Sequence, residues 1–159
     1  KGTTCLALKT LSNMAGSSAK SAFTATPLSD SVSSAAMDLS EAYHPHAKSV
    51  FRTIAMTSPE EIVIHDVIHW SGLQKNVQWQ MLTGASIVLS GRMAALNQGG
   101  EKIYALIRQP GNVHFEVIPA TPPAPENPNH DYRQLILRIN ETGPSTEIVI
   151  SFTKSKPAV

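Results

Sequence analysis

Ile62-Val63-Ile64-His65-Asp66-Val67-Ile68-His69-Trp70 decides the fold class of this chain. Every second residue, Ile62, Ile64, Ile68 and Trp70, is apolar, and β-branched side chains dominate the run. Period-two alternation of this kind marks a strand with one face turned to a core. Asp66 falls on that same apolar face, where a lone carboxylate is costly unless it is paired. The run just before it, Val50-Phe51-Arg52-Thr53-Ile54-Ala55-Met56, puts Val50, Arg52, Ile54 and Met56 on one face. If Ser58-Pro59-Glu60 makes the turn, the two runs pair antiparallel with Ile54 opposite Ile64. Arg52 then lies opposite Asp66, and the spacing predicts a structural cross-strand ion pair.

Working outward, β-branched runs recur between turn signals along the whole chain. They span Thr3 to Thr10, Ser21 to Thr26, Ser31 to Met37, Lys48 to Thr57, Ile62 to Trp70 and Asn76 to Thr83. Further runs are Ser86 to Ser90, Arg92 to Asn97, Lys102 to Arg108, Val113 to Ile118, Tyr132 to Asn140 and Thr146 to Lys154. Val113, Phe115 and Val117 share a face opposite His114 and Glu116; Leu135, Leu137 and Ile139 share another, as do Ile148, Ile150 and Phe152. Gly99-Gly100 between Leu96 and Ile103 is a hairpin signal. No segment sustains a helical period over three turns. About a dozen short strands without a substantial helix predict an all-β, antiparallel β-sandwich, with residues 1–159 as a single domain. Four prolines between Pro122 and Asp131 exclude a central strand and predict a long, mobile, exposed loop.

Composition narrows the function classes. The formal net charge of the 159 residues is +1, which disfavours duplex nucleic acid as a partner. No apolar run reaches the roughly 20 residues that span a bilayer as a helix. The single cysteine, Cys5, has no partner for an internal disulfide and reads as a small buried residue. Lys1-Gly2-Thr3-Thr4 carries neither initiator Met nor signal core, as expected of an excised domain or processed product. Asn140-Glu141-Thr142 fits a glycosylation sequon, relevant only in a eukaryotic secretory setting.

Candidate chemistry is sparse. His65 and His69 have the spacing of a helical zinc motif. On a strand they lie about 13 Å apart, too far to share an ion. Gly-x-Ser-x-Gly, phosphate-loop and dinucleotide signatures are absent from the sequence. Asp38, Glu41 and Asp66 show no spacing that selects a carboxylate pair. His44-Pro45-His46 beside Tyr43 reads as a polar turn or a sugar or metal contact. Trp70 and Trp79 are potential sugar platforms, although Trp79 shares its face with Val77 and Met81 and fits a core. The carbohydrate-contact candidates are therefore His44, His46, Tyr43 and Trp70, with no metal ligand set and no cofactor.

Met37-Asp38-Leu39-Ser40-Glu41-Ala42-Tyr43, followed by the Arg52-bearing strand and the aliphatic strand carrying Asp66, resembles the C-terminal β-sandwich domain of heparinase II/III-like polysaccharide lyases. Trp79, the Ser90-Gly91-Arg92-Met93-Ala94-Ala95-Leu96 segment and Ile148-Val149-Ile150 fit the same pattern. The resemblance runs from about Gly2 to Phe152. It implies a bacterial, secreted or periplasmic enzyme that cleaves an acidic polysaccharide by β-elimination. Most of that machinery sits on an N-terminal α/α-toroid. The His that this β-domain often contributes ahead of an Asn-Thr pair has no counterpart at Lys1-Gly2-Thr3-Thr4. No catalytic residue carries over, nor do the ligands of the structural zinc some relatives hold. The resemblance thus implies a non-catalytic accessory domain, inactive alone, that packs on a toroid and lines the substrate cleft. The alternatives are a free-standing carbohydrate-binding or adhesion module, and a purely structural partner domain.

Overall fold

The computed structural model describes residues 5–10, 22–25, 33–72, 77–121, 129–140 and 143–158. Among the described residues, twelve strands and one helical turn follow one another in chain order. They are β1 (Cys5–Thr10), β2 (Ala22–Ala25), β3 (Ser33–Asp38), α1 (Ser40–Tyr43), β4 (Ala47–Ser58), β5 (Glu61–Trp70) and β6 (Val77–Thr83). The second half contributes β7 (Ser86–Ser90), β8 (Met93–Gln98), β9 (Glu101–Gln109), β10 (Phe115–Pro119), β11 (Arg133–Ile139) and β12 (Ser145–Thr153). Each run read from the sequence overlaps one strand. The prolines at 122–128 and the sequon positions 141–142 lie outside the described residues.

The strands form two antiparallel sheets, one ordered β1-β6-β11-β10 and the other β2-β3-β4-β5-β12-β9-β8-β7. β12 is the last strand in chain order yet sits in the middle of the larger sheet, paired to β5 on one side and β9 on the other. The alternation explains the core between the sheets. Val77, Trp79, Met81, Leu135, Leu137 and Phe115 from the small sheet meet Val50, Ile68, Ile148, Ile150, Ile107 and Ala105 from the large one. Full burial of such a side chain contributes roughly 1.5–3 kcal/mol. Trp79 and Phe115 meet at a ring separation of 6.5 Å and a tilt of 53°.

Local turns fix the registers. Gly99 and Gly100 have φ of +60° and +87°, the left-handed pair that a two-residue hairpin between β8 and β9 requires. The β4–β5 turn sets Ile54 against Ile64 and Arg52 against Asp66. Two details differ from simple alternation. The run expected from Val113 enters the sheet only at Phe115, whose N–H donates to Gly91 O at 3.0 Å. Val113 is nevertheless buried, because its alternation reflects packing against the core and not strand pairing. Ile136 is fully buried although it points away from Leu135 and Leu137, so the outer face of the small sheet is not wholly solvated.

Candidate functional site

The corner between β3 and β4 holds three of the four sugar-contact candidates. The Asp38 carboxylate accepts from the Ser40 hydroxyl at 2.5 Å and the Ser40 N–H at 2.9 Å. These two bonds, the hydroxyl first, hold the Asp38 carboxyl below its ordinary value. Ser40 Oγ accepts from Val50 N–H at 3.0 Å, and Leu39 N–H donates to Val50 O at 2.8 Å. Leu39 and Tyr43 pack on the core. The Asp-Leu-x-x-Ala-Tyr segment is therefore a fastened corner that locks α1 to the start of β4. His44 is exposed and His46 half-buried, with His46 N–H bonded to Tyr43 O and Ser71 N–H to His46 O.

Trp70 does not join them as a sugar platform. It is 4% exposed, and its indole N–H donates to Thr146 Oγ1 at 2.8 Å. The apolar strand face it shares with Ile64 and Ile68 turns it into the core. Trp79 is fully buried as well.

Arg52 and Asp66 meet between the sheets. Arg52 Nε and Nη2 donate to the two carboxylate oxygens of Asp66 at 2.6 and 2.8 Å. The side chains are 4% and 0% exposed. A bidentate arrangement of this kind matches the guanidinium fork to the carboxylate.

A cleft of about 470 Å³ opens at one end of the sandwich, and sequence reasoning did not find it. Its cause is a change of partner along β12. β9 pairs with β12 only over Val149–Thr153, with a register shift between Val149 and Ile150. Beyond Gln109 the chain reaches Pro110, which has no N–H to donate, and crosses to the small sheet. The first part of β12, from Ser145 to Ile148, keeps its β5 neighbour but has no β9 neighbour. Asn112, His114, Glu116, Asn140, Thr146 and Glu147 line the resulting space. Glu116 is ion-paired with Arg138, which also lines the cleft. Glu147 bonds His65 Nε2 at 2.7 Å on the outer face of the large sheet. A second, shallower cleft of about 470 Å³ lies between the ends of β7 and β10, beside His130, Asp131 and Arg133.

Among the described residues no group of three His, Cys, Asp or Glu side chains is placed to hold a metal. No described helix is long and apolar enough to cross a membrane.

No family model matches the sequence, and no curated protein matches it. Solved structures do match in shape. Heparan sulfate lyase HepC from Pedobacter heparinus superposes with a TM-score of 0.68 at 8% identity, over 87% of this chain and 23% of that one. The fold is heparinase-like. A heparinase III with methylated lysines superposes with a TM-score of 0.65 at 11% identity, over 86% of this chain and 22% of the other. Another heparinase III gives 0.61 at 7% identity, over 85% and 22%. The heparinase-like chain thus spans less than a quarter of the length of the structures it matches. At these identities the likeness is one of fold.

Proposed function

We propose that this chain is the C-terminal accessory domain of a heparinase II/III-like polysaccharide lyase. In this reading the whole protein acts by β-elimination on a uronic-acid polysaccharide outside the bacterial cytoplasm, in the periplasm or after secretion. The domain itself is non-catalytic; it packs on an α/α-toroid and lines the substrate cleft. The observation that carries the reading is the superposition of 87% of this chain on 23% of a heparan sulfate lyase. The outer face of the large sheet supports a packing role. Val63, Val67 and Val149 are half-buried there, and Phe51 is 45% exposed. β5 therefore carries valines on its outer face beside His65 and His69, a mixed surface against which a partner domain can pack.

A free-standing carbohydrate-binding module is the second reading, and it would present a row of exposed aromatic rings. Both tryptophans are buried, and Phe51 is the one aromatic among the large exposed hydrophobic side chains described. That pattern favours the accessory role.

The test is to incubate the chain with heparan sulfate, hyaluronan and alginate and follow unsaturated-uronate absorbance at ~232 nm, the signature of elimination. No rise is expected above a heat-inactivated control. A steady rise overturns the non-catalytic assignment.

A further inference from the structure

We propose that the cleft beside the start of β12 binds an uncharged, hydroxyl- and amide-bearing sugar unit in preference to sulfated or carboxylated ones. The choice of a sugar over other hydroxylated ligands rests on the polysaccharide-handling reading above; the preference for a neutral one rests on the cleft itself.

Three observations converge. First, the cleft exposes a strand edge inside a sheet. Between Ser145 and Ile148, β12 is bonded to β5 on one side and has no strand on the other among the described residues. Alternate main-chain N–H and C=O groups therefore point into the cleft, and such groups need partners. Second, the side chains that add to this edge are neutral donors and acceptors. Asn112 and Asn140 are exposed amides on opposite loops. Thr146 is 8% exposed, and its oxygen already accepts the Trp70 indole N–H. That bond occupies a lone pair and leaves the hydroxyl proton free to donate into the cleft. Trp70 thus acts as a positioning residue from the core.

Third, the cleft holds no unpaired fixed cation for an anion. Arg138, the cation lining the cleft among the described residues, is held by Glu116. Glu147 borders the cleft on the β12 wall, but its carboxylate leans across to His65 on the outer face, and His114 is the remaining titratable side chain of the lining. A sulfate or uronate placed here finds no unpaired guanidinium or ammonium and has to compete with the Glu116 carboxylate for Arg138. A neutral ring offers hydroxyls and an acetamido group, which match amides, a hydroxyl and a strand edge. The volume, about 470 Å³, lies within the roughly 300–1,000 Å³ typical of small-ligand sites.

The experiment is a ¹⁵N–¹H shift titration of the full 159-residue chain with three probes: an N-acetylglucosamine tetramer, cellotetraose and a sulfated heparan sulfate tetrasaccharide. The neutral probes should give saturable shifts centred on Asn112, Asn140 and the Ser145–Glu147 backbone. Asn112→Ala and Asn140→Ala sit on exposed loops, so the fold should survive. Each should weaken the neutral probe about tenfold, as expected for one lost hydrogen bond. Glu116→Gln frees Arg138 and should improve binding of the sulfated probe. Absence of saturable shifts at these residues at tens of millimolar probe overturns the proposal. So does a sulfated probe that binds there as tightly as the neutral ones, or a neutral probe indifferent to both Asn variants. None of these outcomes alters the absorbance assay above, so the two readings fail separately.

Discussion

Substituting the buried ion pair tests whether it holds the register of the large sheet. In Asp66→Leu the Arg52 guanidinium, 4% exposed, loses a charged partner bonded at 2.6 and 2.8 Å. The uncompensated charge should cost about 3–5 kcal/mol. Arg52→Met leaves the Asp66 carboxylate, 0% exposed, in the same predicament and should cost a similar amount. The double substitution Arg52→Met with Asp66→Leu removes both charges and fills the space with apolar atoms. It should cost no more than about 1–2 kcal/mol, since replacing a buried pair by hydrophobic side chains is often neutral. The coupling from the cycle is then at least about 4 kcal/mol. Urea unfolding followed by tryptophan emission reads these values. With a slope of about 2 kcal/mol/M, each single substitution moves the midpoint down by roughly 1.5–2.5 M, and the double by less than ~1 M. Additive single and double changes would show that the pair contributes nothing jointly, and the argument from burial would fail.

Other predictions are smaller in scale. Thr146→Val strands the Trp70 indole N–H inside the core and should lower stability by about 1–3 kcal/mol, measured by the same urea assay; an unchanged midpoint would mean another acceptor takes over. Because Trp70 and Trp79 are 4% and 0% exposed, emission should be blue-shifted and resist acrylamide until urea unfolds the chain, whereas native-state quenching at the unfolded rate would contradict the burial. The Asp38 carboxyl, held low by Ser40, should titrate below an ordinary aspartate of about 3.9 by carbon-detected NMR, and Ser40→Ala should move it upward. Since its folded value is the lower one, the corner's contribution is present above the unfolded pKa and disappears as pH falls through the folded one; no upward move in Ser40→Ala would refute the cause given.

The faces of the strands were readable because alternation reports burial residue by residue, as where Leu135, Leu137 and Ile139 stand at every second position and all three are buried. The Arg52–Asp66 register was readable because one tight turn separates β4 from β5. Period two names a face but not a neighbour. Hence nothing in Ile148-Val149-Ile150 says that β12 inserts between β5 and β9. The cleft was invisible for the same reason. Asn112 and Asn140 are ordinary loop residues until β9 leaves β12 and brings their loops together. Trp70 already stood on the apolar face of its strand, but the hydroxyl that accepts its indole N–H, Thr146, is 76 residues away and no local pattern shows it.

The central position of β12 has a consequence for the order in which the domain can be made. The large sheet is two halves, β2-β3-β4-β5 and β9-β8-β7, and each can form from hairpins near in sequence. Only β12 joins them, and it leaves the ribosome after every other strand described. Until then Ile64 and Ile68 on one half and Ala105 and Ile107 on the other lack the neighbours that complete their core. Closure therefore waits for the whole sandwich to be synthesised and is slow for a topology rich in distant pairings. The nascent chain presents two unjoined sheet edges to the cell while it waits.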